Sequence, residues 1–190
     1  MVQEKHEYEV NRLKIIDTEF ESLKIIETYL FIDERGKFGK TFNSKLFSSY
    51  NMYPNFKEFF YSISGKDVIR GMHFQIPPFE NEKIVFVVKG EIIDVVLDMR
   101  KSSKTFGKYF SIELSDENGK ALYIPKGFAH GFKGIKDENI VCYLTTSVYS
   151  KEHDQGIKWD SFGFDWNCKT PVISERDQRF PAFEEFKSPF

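Results

Sequence analysis

The chain has 190 residues, enough for one domain with a sizeable core and too few for two comfortable ones, so residues 1–190 are read as a single domain. Its 41% hydrophobic and 29% charged residues exclude a disordered or fibrous chain. A net charge of −2, with lysines scattered among Asp and Glu, lacks the basic stripe that nucleic acid requires. The apolar runs Ile92–Ile93 and Val95–Leu97 are soon interrupted by charges, and MVQEKHEYEV has no apolar signal-peptide core, so no membrane partner and a cytoplasmic location are expected.

In chain order, residues 1–13 are polar and weakly patterned and are predicted to form an arm. Strands are then predicted at Lys24–Phe31, Lys83–Val88, Glu91–Met99, Tyr109–Leu114, Ala121–Ile124 and Ile140–Val148, each rich in Val, Ile, Phe or Tyr. The turns between them carry Arg35-Gly36, Ser64-Gly65, Lys89-Gly90, Asn118-Gly119 and Lys126-Gly127. Only Ser44–Ser49 and the stretch from Ser174 look helical, the latter opening with a capping Ser and acidic residues. Many short strands imply an all-β sandwich or barrel with a few short flanking helices. The 21 Phe and nine Tyr suit the filling of such a barrel. Cys142 and Cys168 lack CxxC spacing and read as small buried hydrophobes.

The most specific local pattern is Gly119-Lys-Ala-Leu-Tyr-Ile-Pro125-Lys-Gly127-Phe-Ala-His130. This resembles the second signature of the cupin superfamily, with Gly134 where the terminal Asn would stand, and implies a jelly-roll barrel with His130 aimed inward. The first signature normally brings two His and a Glu that complete a metal site. Here the region reads His73-Phe-Gln75 followed by Lys83. A lysine ammonium has no lone pair for a cation, so no metal is expected. A positive charge there suits an oxyanion formed inside a dry pocket, as when a ketone becomes an enolate.

The run Val68-Ile-Arg-Gly-Met-His-Phe-Gln75 is similar to a segment of the dTDP-4-dehydrorhamnose 3,5-epimerase family. Asp33-Glu-Arg-Gly36, Thr105-Phe-Gly107, Ile124-Pro-Lys-Gly-Phe-Ala-His-Gly-Phe132, Gly156-Ile-Lys-Trp-Asp160 and Ser174-Glu-Arg-Asp177 resemble the same family in the same order, over about residues 24–183. The resemblance implies a cofactor-independent isomerase with His73 as base and Asp177 behind it. It further implies Lys83 beside the C4 enolate and Tyr143 as the acid on the opposite face. Inversion needs two proton-transfer groups on two faces, which suits a His and a Tyr on different strands. By the same resemblance Asp94 supports His130, Arg70 and a neighbouring subunit's Arg35 hold the diphosphate, and Phe38, Gln75 and Tyr149 contact substrate. A surface-facing Asp94, an ion-paired Arg35 and a core Tyr149 are the plain structural readings of those residues. The implied partners are a nucleoside-diphosphate sugar and a second copy of the chain, as a homodimer.

Glu58 and Phe60 stand where the family carries Gln and Asn, and Lys40 where it carries Glu. These departures leave the nucleotide open among dTDP, CDP and GDP, and leave inversion at C3, C5 or both undecided. Two more remote readings are a metal-dependent cupin oxygenase using His73, Gln75, His130 and Glu80, and a non-catalytic sugar-nucleotide-binding cupin.

Overall fold

The computed structural model describes residues 13–190, so all but the last residue of the predicted N-terminal arm lies outside the described residues. That last residue, Leu13, opens a strand. Six antiparallel strands form one sheet in the order β1 (Leu13–Asp17), β2 (Lys24–Thr28), β10 (Lys120–Ile124), β7 (Lys83–Lys89), β12 (Asn139–Thr145) and β5 (Glu58–Ser64). Five more form a second sheet in the order β13 (Asp154–Gly156), β6 (Ile69–Gln75), β11 (Phe128–Gly134), β8 (Glu91–Asp98) and β9 (Tyr109–Ser115). A separate hairpin joins β3 (Phe31–Asp33) to β4 (Gly36–Phe38). The helices are short: α1 (Ser44–Ser49), α2 (Glu175–Gln178) and a 3₁₀ turn at Phe183–Glu185. Among the described residues no helix is long and apolar enough to cross a membrane.

Alternation along the strands sorts side chains into three cores. Val85 and Val87 of β7 and Val141 and Tyr143 of β12 meet Ile92 and Val96 of β8 and Phe128 and Phe132 of β11 between the sheets. This is the all-β jelly-roll barrel. Met72, Val95, Leu97 and Ala129 face the other way and are covered by Ile157, Phe162 and Trp166. Ile26, Ile84, Ala121 and Tyr123 back the first sheet, where α1 buries Phe47. Asn43 caps α1 by accepting from the Leu46 N–H.

The predicted strand Lys24–Phe31 is two strands, broken at Tyr29-Leu30, and the one predicted to Val148 ends at Thr145. β1, β6, β11 and β13 lie outside the predicted strands. β11 is buried along its whole length and β6 nearly so, so neither shows alternation, and each carries glycine. β5 is an edge strand with three adjacent aromatics, Phe59, Phe60 and Tyr61, on both of its faces.

Candidate active site

Among the apolar inward positions of the barrel stand three polar ones. Asp94 shares the inward face of β8 with Ile92 and Val96, His130 that of β11 with Phe128 and Phe132, and Lys83 that of β7 with Val85. The surface-facing alternative for Asp94 is thereby removed, since its side chain is fully buried. On β6 a regular pleat would send Arg70 and His73, three residues apart, to opposite faces. The pairing of β6 with β11 shifts register, from His73 opposite His130 to Arg70 opposite Phe132. Three steps on β6 therefore match two on β11, and the bulge turns both side chains to one cavity. Gly71 sits in that bulge at φ +135°, and a Cβ on it would stand 2.5 Å from the Gly131 Cα. The cavity holds about 350 Å³, and Arg70, His73, Lys83, His130, Tyr143 and Tyr149 line it. That lies within the usual range for a small-molecule site, about 300–1,000 Å³.

His73 is backed by the buried Asp177, whose Oδ1 lies 2.9 Å from its Nε2. The other carboxylate oxygen accepts from the Gly71 N–H at 3.2 Å. α2 delivers this carboxylate: the Ser174 hydroxyl caps the helix by accepting from the Asp177 N–H, as the sequence predicted. Burial pushes Asp177 upward, but the hydrogen bonds and charge of His73, the Gly71 N–H and Arg176 outweigh it and hold the carboxyl at about 2. For His73, burial pushes the ring below its ordinary value and Asp177 pushes back, while the cations Arg176 and Lys83 add to the lowering. The imidazole is therefore neutral at neutral pH. Its Nδ1 has no protein partner among the described residues.

A second pair lies deeper. His130 Nε2 meets Asp94 Oδ1 at 2.7 Å, with both side chains buried. Burial raises Asp94, against the pull of His130 and Lys83, and its Oδ2 has no hydrogen-bond partner among the described residues. The Lys83 ammonium points at the His73 carbonyl, 3.4 Å away. Burial lowers it to about 8, even with Asp154 and Asp94 near enough to support its charge. Tyr143, from the other sheet, lies 3.3 Å by its hydroxyl from Ser62 Oγ and stacks on Phe60 at 4.7 Å. Burial pushes the Tyr143 phenol well above its ordinary value.

Arg70 donates to Ser64 Oγ at 2.9 Å and keeps part of its fork toward the cavity. Gln75 spends its amide on loops: Nε2 donates to the Phe79 and Val148 carbonyls, and Oε1 accepts from the Ser150 N–H. That fastens the segment carrying Tyr149, whose N–H donates to Glu58 Oε1 at 3.0 Å. Glu80 reaches Lys126 rather than the two histidines, and among the described residues no three of His, Cys, Asp and Glu are grouped to hold a metal. Arg35 and Phe38 stand on the exposed β3–β4 hairpin, where Arg35 pairs with Asp33, and neither lines the cavity of its own chain.

A family model described as dTDP-4-dehydrorhamnose 3,5-epimerase matches residues 17–185. The chain belongs to this family. It is accordingly an isomerase of the epimerase type with the cupin fold. A relative of that name from Methanothermobacter thermautotrophicus is 40% identical over 177 residues, covering 90% of this chain and 95% of the relative. The crystal structure of the Bacillus anthracis enzyme with TDP and PPi bound superimposes with a TM-score of 0.86 at 36% identity, covering 90% and 99% of the two chains. That of the Legionella pneumophila enzyme in complex with dTDP-4-keto-L-rhamnose gives 0.88 at 33%, covering 93% and 95%.

Within this epimerase family member, several lining residues escaped sequence reasoning. Asp154, Ser62 and Arg176 all line the cavity. Arg176 sits beside Asp177 in SERDQ, a stretch that reads as a helix start, so its role as a site residue was hidden by a correct local reading. Glu58 and Phe60, noted as departures, line the cavity wall, whereas Lys40 does not.

Proposed function

We propose that the protein inverts C3, C5 or both in a nucleoside-diphosphate 4-keto-6-deoxy sugar, without a cofactor, by proton transfer through an enolate. The observation that carries this reading is that His73 comes from one sheet and Tyr143 from the other, so the two groups border one cavity from opposite walls, with Lys83 on the strand beside that of Tyr143. With Nε2 of His73 donating to Asp177, Nδ1 is left to take the proton next to the ketone. As the C–H bond breaks, its electrons pass to the C4 oxygen, and the Lys83 ammonium stabilises the charge that develops there. Tyr143 then returns a proton to the carbon from the other face. Its raised phenol keeps that proton until a basic enolate carbon is presented. Arg70 offers a guanidinium fork suited to the diphosphate. The dTDP-4-keto-L-rhamnose held by the Legionella enzyme supports a dTDP-linked sugar ahead of a CDP- or GDP-linked one.

Two features support a homodimer on this reading. Arg35 and Phe38 stand off their own cavity, where only a neighbour could use them, and the β5 edge exposes Phe59, Tyr61 and Ile63. A fully active monomer in solution would remove that part of the proposal.

The mechanism is tested by Tyr143→Phe in deuterated water. Deuterium exchange next to the ketone should persist, because His73 and Lys83 remain, while inversion falls by about 10²–10⁴-fold. Normal inversion by the variant would reduce Tyr143 to a packing residue and overturn the two-face mechanism.

A further inference from the structure

Arg176 lines this site and has no role in the proposed proton path. Its guanidinium joins three elements: Nη1 donates to Asp154 Oδ2 of β13 at 2.8 Å, Nε to Asp177 Oδ1 of α2 at 3.1 Å, and Nη2 approaches His73 Nε2 of β6 at 2.8 Å. The same guanidinium lies over the Phe180 ring at 5.5 Å. His73 Nε2 therefore has two competitors, a carboxylate at 2.9 Å and a guanidinium at 2.8 Å.

One nitrogen cannot satisfy both. With a proton on Nε2 the ring donates to Asp177, and Nδ1 carries the free lone pair. With Nε2 bare the ring accepts from the Arg176 guanidinium, and the proton sits on Nδ1. In the imidazolium both nitrogens carry protons, so the Arg176 contact becomes a repulsion. Asp177 alone would favour the imidazolium, and a base already holding a proton cannot take one from substrate.

We propose that Arg176 is a counterweight to Asp177: a positioning residue that keeps His73 uncharged while fastening the helix that carries Asp177. The charges facing His73 are consistent with this. Arg176 and Asp177 come from α2, Lys83 from β7 and Asp154 from β13, while His130 of β11, with Asp94 behind it, lies opposite in register. The Arg176 and Lys83 cations weaken the ring's hold on a proton and Asp177 strengthens it. Removing Arg176 takes away one of the two opposing cations, which draws a proton onto the imidazole.

This inference rests on His73 acting as the base, but its test does not need turnover. The chain has four histidines, and in ¹⁵N-histidine-labelled protein the His73 resonances are those lost in His73→Asn. In Arg176→Gln the His73 ring should bind its proton roughly tenfold more tightly, and its neutral form should shift toward the Nε2–H tautomer. Arg176→Lys keeps the charge and should titrate close to wild type. The acidic limb of kcat/KM should move upward in Arg176→Gln by the same amount, with the plateau at higher pH retained. An unchanged His73 titration in a folded Arg176→Gln, or Arg176→Lys behaving like Arg176→Gln, overturns the proposal. If instead the wild type fails to turn over any 4-keto sugar, the proposed function falls while the titration still reports on Arg176.

Discussion

The cavity holds two histidine–aspartate pairs that differ in nearly everything but composition. At His73 the side chain is 26% exposed, and its carboxylate has both oxygens occupied. At His130 the side chain is 6% exposed, and its carboxylate keeps one oxygen without a partner among the described residues. A base must reach substrate and must be able to bear a positive charge, which requires an exposed nitrogen and a carboxylate ready to stay ionised. Asp177, held at about 2, meets the second condition, whereas burial drives Asp94 toward its neutral form. On the proposed mechanism this difference favours the first pair for proton transfer.

The sharpest way to break this comparison is to remove each ring in turn. His73→Asn should lower exchange next to the ketone by about 10²–10⁴-fold or more, whereas His130→Asn should retain measurable exchange. Equal losses measured by deuterium incorporation would show that the two pairs share the base role.

A smaller effect lies in the pH profile of kcat/KM. The acidic limb should fall below the ordinary histidine value of about 6.5, since burial and two cations lower His73. The basic limb should report Lys83, whose charge is lost as pH rises through about 8. Asp154→Asn removes a charge that supports the ammonium, so it should pull the basic limb down; a limb that stays in place would mean that Lys83 does not set it.

The smallest effect separates the two carboxylates by stability. A carboxyl held below its unfolded value stabilises the fold above about pH 4 and loses that contribution as pH falls toward about 2. Asp177→Asn should therefore cost on the order of 2 kcal/mol near neutrality and flatten acid unfolding. Asp94 has the opposite sign, because its folded-state value is raised and ionisation works against the fold. Thermal unfolding of Asp94→Asn should therefore show little loss. A larger loss there than at Asp177 would reverse the assignment.

Much of this site was legible beforehand because residue types and spacings are local. The Gly119 to His130 spacing found β10 and the turn after it that aims His130 inward. β11 itself was not legible as a strand, since both of its faces are buried and the alternation that marks a half-buried strand is absent. Arg35 and Phe38 were named as substrate contacts, yet within one chain they lie on a hairpin away from the cavity.

The sequence alone determined the all-β class, the family resemblance and the chemical groups available, because these follow from short-range pattern and side-chain identity. Tertiary structure decided which of those groups meet. The bulge opposite Gly131 turned Arg70 and His73 to one side, although their spacing on a plain strand would have opposed them. The contact of Arg176 with His73 joins residues 103 positions apart. No local pattern encodes such a meeting, since it depends on how β6, β13 and α2 pack together, and that packing gives the base its charge balance.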